Sequence, residues 1–269
     1  MNDPEDVGQE AEQSDWLDHA VRAGLVAYGV VHLLIGLLAI QLALGDHGGQ
    51  ASAKGALSEL AQQPFGRIMV WAVAVGMFLL VVWRVLEAAF GHRNVEDSDR
   101  ARKRAASGLK AVIYGALGVT AVRVAVGSGS SGKGSRGMTA RLMDLPAGQW
   151  LVVAVGLAII GYAGNMAWRG WTEKFAEHLD TEGRLGYSGA TYLLLGKVGY
   201  IAKGSSFAIV GGLFCYAGIT HRAKESGGLD SALQKVQEQP FGPYLLIAIG
   251  VGIACYGLFC FARARHLDR

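Results

Sequence analysis

Residues 56–66 read "ALSELAQQPFG" and residues 232–242 read "ALQKVQEQPFG". Both fit one pattern, Ala-Leu-x-x-Leu/Val-x-x-Gln-Pro-Phe-Gly. An eroded third copy, "DLPAGQW" at residues 144–150, keeps Pro146 and Gly148. The prolines Pro64, Pro146 and Pro240 are 82 and then 94 residues apart. A repeat predicts that other features recur at the same offsets. The stretch "RAGLVAYGVVHLLIG" from Arg22 and "KVGYIAKGSSFAIVG" from Lys197 align Gly24 with Gly199, Ala27 with Ala202, Gly29 with Gly204 and Gly36 with Gly211. With Arg104 in the lead place of the middle copy, Tyr114 aligns with His32 and Phe207, and Gly118 with Gly36 and Gly211. The leads are 82 and 93 residues apart, so two independent anchors agree to within one residue.

The apolar runs say what repeats. Of 269 residues, 51% are hydrophobic and 17% charged, against about 25% charged in soluble domains. Glycine numbers 39 and proline 5, a balance that suits membrane helices, where glycine lets backbones approach closely. Six runs, at 23–44, 68–90, 106–126, 149–169, 198–220 and 244–261, come near the length of about 20 residues that crosses a hydrocarbon core. Each unit is therefore a basic lead, a span, an outside loop, a short segment ending in Pro-x-Gly, and a second span. The units cover 20–92, 104–175 and 195–267. Residues 1–19 form an acidic tail, expected to be disordered and cytoplasmic, and "MNDPEDVGQEAEQSD" lacks the basic start of a signal peptide.

Two spans per unit is an even number, so every unit has the same orientation. The expected fold is an all-α integral membrane protein. Six transmembrane helices form three parallel two-helix repeats around a pseudo-threefold axis, with short amphipathic outer helices before the even spans. Positive charge selects the sidedness. Arg93, Arg100, Arg102, Lys103 and Arg104 follow the second span; Arg169, Lys174, Arg184 and Lys197 follow the fourth; Arg263, Arg265 and Arg269 follow the sixth. The opposite loops carry fewer: Lys54, Arg67, Lys133, Arg136, Arg141, Arg222, Lys224 and Lys235. Both termini are expected in the cytoplasm, and the protein in the bacterial plasma membrane, with the lipid bilayer as its first partner.

Gly29, His32 and Gly36 share one helix face by their 3-then-4 spacing. Ala111, Tyr114 and Gly118 repeat it, as do Gly204, Phe207 and Gly211. This small–ring–small stripe is read as a packing face, the ring filling the gap. Its target is either the even span of its own unit or the other odd spans. The corners Pro64/Gly66, Pro146/Gly148 and Pro240/Gly242 turn the chain back into the membrane. Leu57, Leu60 and Phe65 form the apolar face of the surface helix, and proline begins the next helix.

Polar groups in spans are functional candidates by default. His32 lies about 15 Å of helix past Arg22, and reads as a packed ring with one N–H bonded. A haem site would want a second mid-span histidine, yet His19, His47, His92, His178, His221 and His266 lie outside the spans or at their ends. Lys203 is expected to snorkel to the inner interface and Arg123 to the outer one. Arg84 and Glu87 are placed to pair at the inner end of the second span, with Trp83 in an aromatic belt. Gln41 and Asn165 are expected to bond between helices. Cys215, Cys255 and Cys260 read as small apolar fillers, and "GSGSSGKGSRG" at 127–137 as a flexible loop.

The pattern resembles a bacterial membrane family, the domain of unknown function 1206 family. The resemblance rests on "YGVVHLLIGLLA", "GALSELAQQPFG" and "VVWRVLEAAFG" and covers nearly all the chain after residue 20. It implies a two-helix unit carried three times and no assigned reaction. His32 stands where the family tends to have tyrosine, and the second unit lacks Phe after its proline.

No catalytic, cofactor or metal constellation emerges, and nothing points to nucleic acid. The expected function is a non-enzymatic structural or accessory membrane module, with an unidentified membrane protein as partner. The alternative is a transporter or channel for a small solute or ion along the pseudo-threefold axis. A lipid-active enzyme would need an interfacial nucleophile or acid/base pair that the sequence does not supply.

Overall fold

A computed structural model describes residues 15–45, 50–90, 97–127, 139–140, 143, 147–222 and 226–267. Residues 1–14 of the acidic tail, most of the 127–137 loop and Pro146 lie outside the described residues; Asp15–His19, expected as part of a disordered tail, are instead the first residues of a helix that runs on into the first span. The principal helices are α1 (Asp15–Ala43), α2 (Ala53–Gln62), α3 (Gly66–Phe90), α4 (Asp97–Ala125), α5 (Gly148–Trp171), α6 (Thr181–Arg184), α7 (Gly186–Thr220), α8 (Leu229–Gln237) and α9 (Gly242–Arg265). Six of them, α1, α3, α4, α5, α7 and α9, are long and apolar enough to cross a membrane. The fold of the described residues is all-helical, and the six apolar helices are those of a multi-pass membrane protein by length and composition. The fifth span departs from its expected limits: α7 has 35 residues and starts at Gly186, not 198. At 1.5 Å per residue it is about 52 Å long, beyond the roughly 30 Å of hydrocarbon, so part of it stands outside. Likewise Arg100 and Arg104 lie on α4 and not in a loop.

The closest helix pairs are α3 with α4, α5 with α7, and α9 with α1. Each odd span thus packs on the even span of the preceding unit, and the first span packs on the last. The glycine stripes make these seams, so their target is neither of the two the sequence left open. A Cβ added at Gly36 would stand 2.6 Å from the Gly250 carbonyl oxygen, and one at Gly250 would stand 2.8 Å from that of Gly36. Gly29 and Gly257 are related in the same way, at 2.8 Å each. In the third unit, Gly211 and Gly156 repeat the reciprocal relation at 2.8 Å. Gly118 instead meets the ring of Phe78, 3.2 Å from an added Cβ. The gaps between small residues are filled by a neighbour's backbone. The stripe rings do not fill them; His32 and Tyr114 are buried towards the bundle interior.

Contacts within a unit use a second set of small residues. An added Cβ at Gly24 would meet the Gly76 carbonyl at 2.7 Å, and one at Gly199 would meet the Tyr256 backbone at 2.6 Å. These close α1 on α3 and α7 on α9. In the middle unit, the places of Gly24, Ala27 and Gly76 are held by Ala106, Leu109 and Ala158. Those positions are exposed, and α4 and α5 barely touch.

The corner is a turn in its own right. The Gly66 N–H donates to the Gln63 carbonyl at 2.8 Å, and Gly242 to Gln239 at 2.8 Å. Phe65 and Phe241 both lie at φ 60°, the left-handed place of a type II turn with proline before it, and Ala147 has the same left-handed backbone at φ 59°. Pro64 and Pro240 therefore sit in the turn and do not begin the helix; in α9 the first-turn proline is Pro243. Leu57, Leu60, Leu233 and Val236 are buried as expected. Phe65 and Phe241 are not part of that face: they are 81% and 77% exposed, swung outward by the left-handed residue. A Cβ at Gly66 would lie 2.0 Å from the Leu60 carbonyl oxygen, and one at Gly242 would lie 2.3 Å from that of Val236. Gly66→Ala and Gly242→Ala are expected to cost about 1–3 kcal/mol each by overpacking. A lowered thermal midpoint in detergent would register this; an unchanged midpoint would mean the corner yields freely.

Candidate functional site

The interior of the bundle is built from rings and cations at matching places in the repeat. Tyr28 and His32 are one helical turn apart on α1, with ring centroids 4.2 Å apart. The His32 Nδ1–H donates to the Tyr28 carbonyl at 2.8 Å, so the ring is fixed by its own helix. Tyr256 of α9 lies 5.0 Å from the His32 ring and 6.1 Å from that of Tyr28. Tyr114 of α4 meets Tyr28 edge-on at 5.2 Å, and Tyr200 of α7 meets Tyr256 edge-on at 5.2 Å. Edge-to-face pairs at such distances are the favoured aromatic arrangement.

Lys203 enters this layer from α7. Its Nζ donates to the Tyr28 hydroxyl at 2.6 Å and lies 3.9 Å from the Tyr256 ring centroid. It is 5% exposed, so it does not snorkel to the interface. Its helix face points at the bundle interior, where the Tyr28 hydroxyl and two ring faces receive the amino group.

Two cavities flank the layer, and Tyr28 lines both. Towards the corner end of the bundle, an apolar cavity of about 500 Å³ is bounded by Ile35, Ile113, Leu117 and Phe207 and reached by the first residues of α2 and α8. Towards the end that carries both termini, a cavity of about 170 Å³ is lined by Arg84, Lys110, Arg169 and Arg263 with Tyr114, Tyr162, Tyr200 and Asn165. Arg84 pairs with Glu87, and the Ser107 hydroxyl donates to the same carboxylate at 3.1 Å. The Arg84 guanidinium also lies 3.9 Å over the Trp83 ring. Trp83 is buried; it packs under this pair and is not part of an interfacial belt. Below, the 3-10 turn Lys174–His178 inserts Phe175, fully buried, against Tyr200 at 5.2 Å and Phe259 at 5.1 Å. Among the described residues no group of His, Cys, Asp or Glu is placed to hold a metal ion.

The expected pairing of Arg84 with Glu87 is present, and His32, Tyr114 and Lys203 are brought together with Tyr28 and Tyr256, two rings that sequence reasoning did not single out. The signal for those rings lay in the repeat alignment. Tyr28, Lys110 and Lys203 each stand six residues after a lead. Tyr162 and Tyr256 stand 16 residues after their corner prolines, and Arg169 and Arg263 stand 23 after. Glu87 occupies that last place in the first unit. Phe175 has no counterpart in the repeat, and nothing in the pattern marks it.

Comparison with known proteins agrees with the repeat. "Uncharacterized protein YxxB" of Bacillus subtilis (strain 168) is 27% identical over 249 residues, which cover 92% of this chain and 90% of that protein. No solved structure matches. The family model described as Domain of Unknown Function (DUF1206) matches residues 23–91, 105–173 and 198–266, and this chain belongs to that family, as three tandem copies of its domain.

Proposed function

We propose that the protein is a non-enzymatic accessory module of the bacterial plasma membrane, with both termini in the cytoplasm, that works with another membrane protein. The observation that carries this reading is the closed layer of Tyr28, His32, Tyr114 and Tyr256 around Lys203. Packed rings across the interior suit a rigid scaffold. A second reading, transport of a small solute or ion, draws on the two cavities that meet at Tyr28; its pathway would run along a pseudo-threefold axis, with the ring layer as gate. Purification in mild detergent from native membranes and flux assays in proteoliposomes separate the two. A stoichiometric partner recovered by tagging either protein, with no flux, supports the accessory role. Solute flux supports transport. Neither partner nor flux would remove both readings.

A further inference from the structure

The cavity at the terminal end gathers four basic side chains from four helices: Arg84 of α3, Lys110 of α4, Arg169 of α5 and Arg263 of α9. Among the described residues, no carboxylate lines it. Glu87 is engaged by Arg84 and Ser107. Arg84 and Arg263 are only 4% and 8% exposed, and the Nε of each is buried with no hydrogen-bond partner. Buried donors of this kind are costly when left unmade, and gathering like charges in a largely buried space is costly too, even with Glu87 beside Arg84. An anion in the cavity would offset the gathered positive charge. Guanidinium groups present fork-like donors that match the oxygens of a phosphate, and the tyrosine hydroxyls and the Asn165 amide add neutral donors.

The position of the cavity says how such a group reaches it. Lining residues from α4 and α5 face each other across the open seam between these helices. Leu109, on that lining, is 54% exposed. The corresponding seams of the first and third units are shut by Gly24 against Gly76 and by Gly199 against Tyr256. The seam between α4 and α5 lacks such a close backbone contact among the described residues, and the exposed Leu109 lies at its opening.

We propose that this cavity is a binding site for a phosphate group, carried by an anionic lipid headgroup that enters through the α4–α5 seam or arriving as free phosphate. The test uses the full-length, delipidated protein in neutral detergent at fixed ionic strength. Binding of phosphatidylglycerol is compared with that of diacylglycerol, which lacks the phosphate, and inorganic phosphate is compared with chloride. At least tenfold preference for phosphatidylglycerol that inorganic phosphate does not compete away identifies a lipid headgroup. Protection by inorganic phosphate alone identifies the free ion. Either preference is expected to fall at least tenfold in Arg263→Gln and Arg169→Gln, and to persist in Arg22→Gln, an exposed arginine at the same end. Lys110→Met, which removes a less buried cation, provides the same readout where an arginine variant does not fold. Equal binding of phosphatidylglycerol and diacylglycerol with no effect of inorganic phosphate would overturn the proposal, as would wild-type binding by both Arg263→Gln and Lys110→Met.

Discussion

Gly36→Leu is expected to open the seam between the first and last spans and to produce the largest loss of stability of any single stripe substitution. The added side chain would begin 2.6 Å from the Gly250 carbonyl and 2.8 Å from the Ala254 nitrogen. Both are backbone atoms, and no rotamer change moves them. The cost should exceed the roughly 1–3 kcal/mol usual for overpacking. Gly211→Leu should behave alike, since Gly156 opposes it through a carbonyl at 2.8 Å. Gly118→Leu should cost less, because the Phe78 ring it meets is a side chain able to turn aside. Gly212, next to Gly211, has nothing within 4 Å of an added Cβ, so Gly212→Leu should leave the thermal midpoint in detergent unchanged. If Gly212→Leu were as damaging as Gly36→Leu, the stripe would owe its effect to glycine content and not to these seams.

Tyr28→Ala is the second large effect. The ring touches His32, Tyr114 and Tyr256 and accepts from Lys203 through its hydroxyl. Losing a buried aromatic side chain costs about 3–5 kcal/mol. It also removes one of the two side chains, with Ile113, that line both cavities. Vesicles holding the variant are expected to dissipate an imposed proton gradient faster than vesicles holding the wild type. Tyr28→Phe keeps the ring and loses only the Lys203 acceptor. It should hold the gradient while costing about 1–3 kcal/mol for the unmet buried donor. Tight vesicles with Tyr28→Ala would place the barrier elsewhere in the chain.

The repeat and its six apolar helices were legible because each rests on spacing. Glycines at fixed offsets and apolar runs of span length leave marks that survive in one sequence. What the stripes pack against was not legible, because spacing on one helix says which residues share a face and nothing about the neighbour. The sequence suggested the helix's own unit or the other odd spans, and the answer was the unit before. Lys203 was misjudged for a related reason. Its depth is close enough to Lys197 for a snorkelling side chain, and only the position of Tyr28, 175 residues away, shows why it turns inward. The outward swing of Phe65 depends on one left-handed residue that a helical wheel cannot represent. Of the cavity cations, Arg169 and Arg263 were counted towards sidedness, Arg84 was read only as the partner of Glu87, and Lys110 was passed over. Extending the alignment to the place shared by Arg169 and Arg263 would have brought them together.

The seam between α1 and α9 has a consequence for how many units the chain can hold. Covalent neighbours and packed neighbours alternate along it: a loop joins the two spans of a unit, and a glycine seam joins each unit to the next. The last seam returns to the first helix, and Arg22 Nη1 donates to the Arg265 carbonyl at 3.1 Å. Among the described residues, the first and last spans cover each other's glycine faces. A hairpin cut out on its own would carry one unmatched face of each kind, and could satisfy both only by borrowing from copies of itself. A fourth hairpin could join only by prising the seam apart. The count of three is therefore a closed one, fixed by geometry in the way a subunit ring is fixed, with the subunits strung on a single polypeptide.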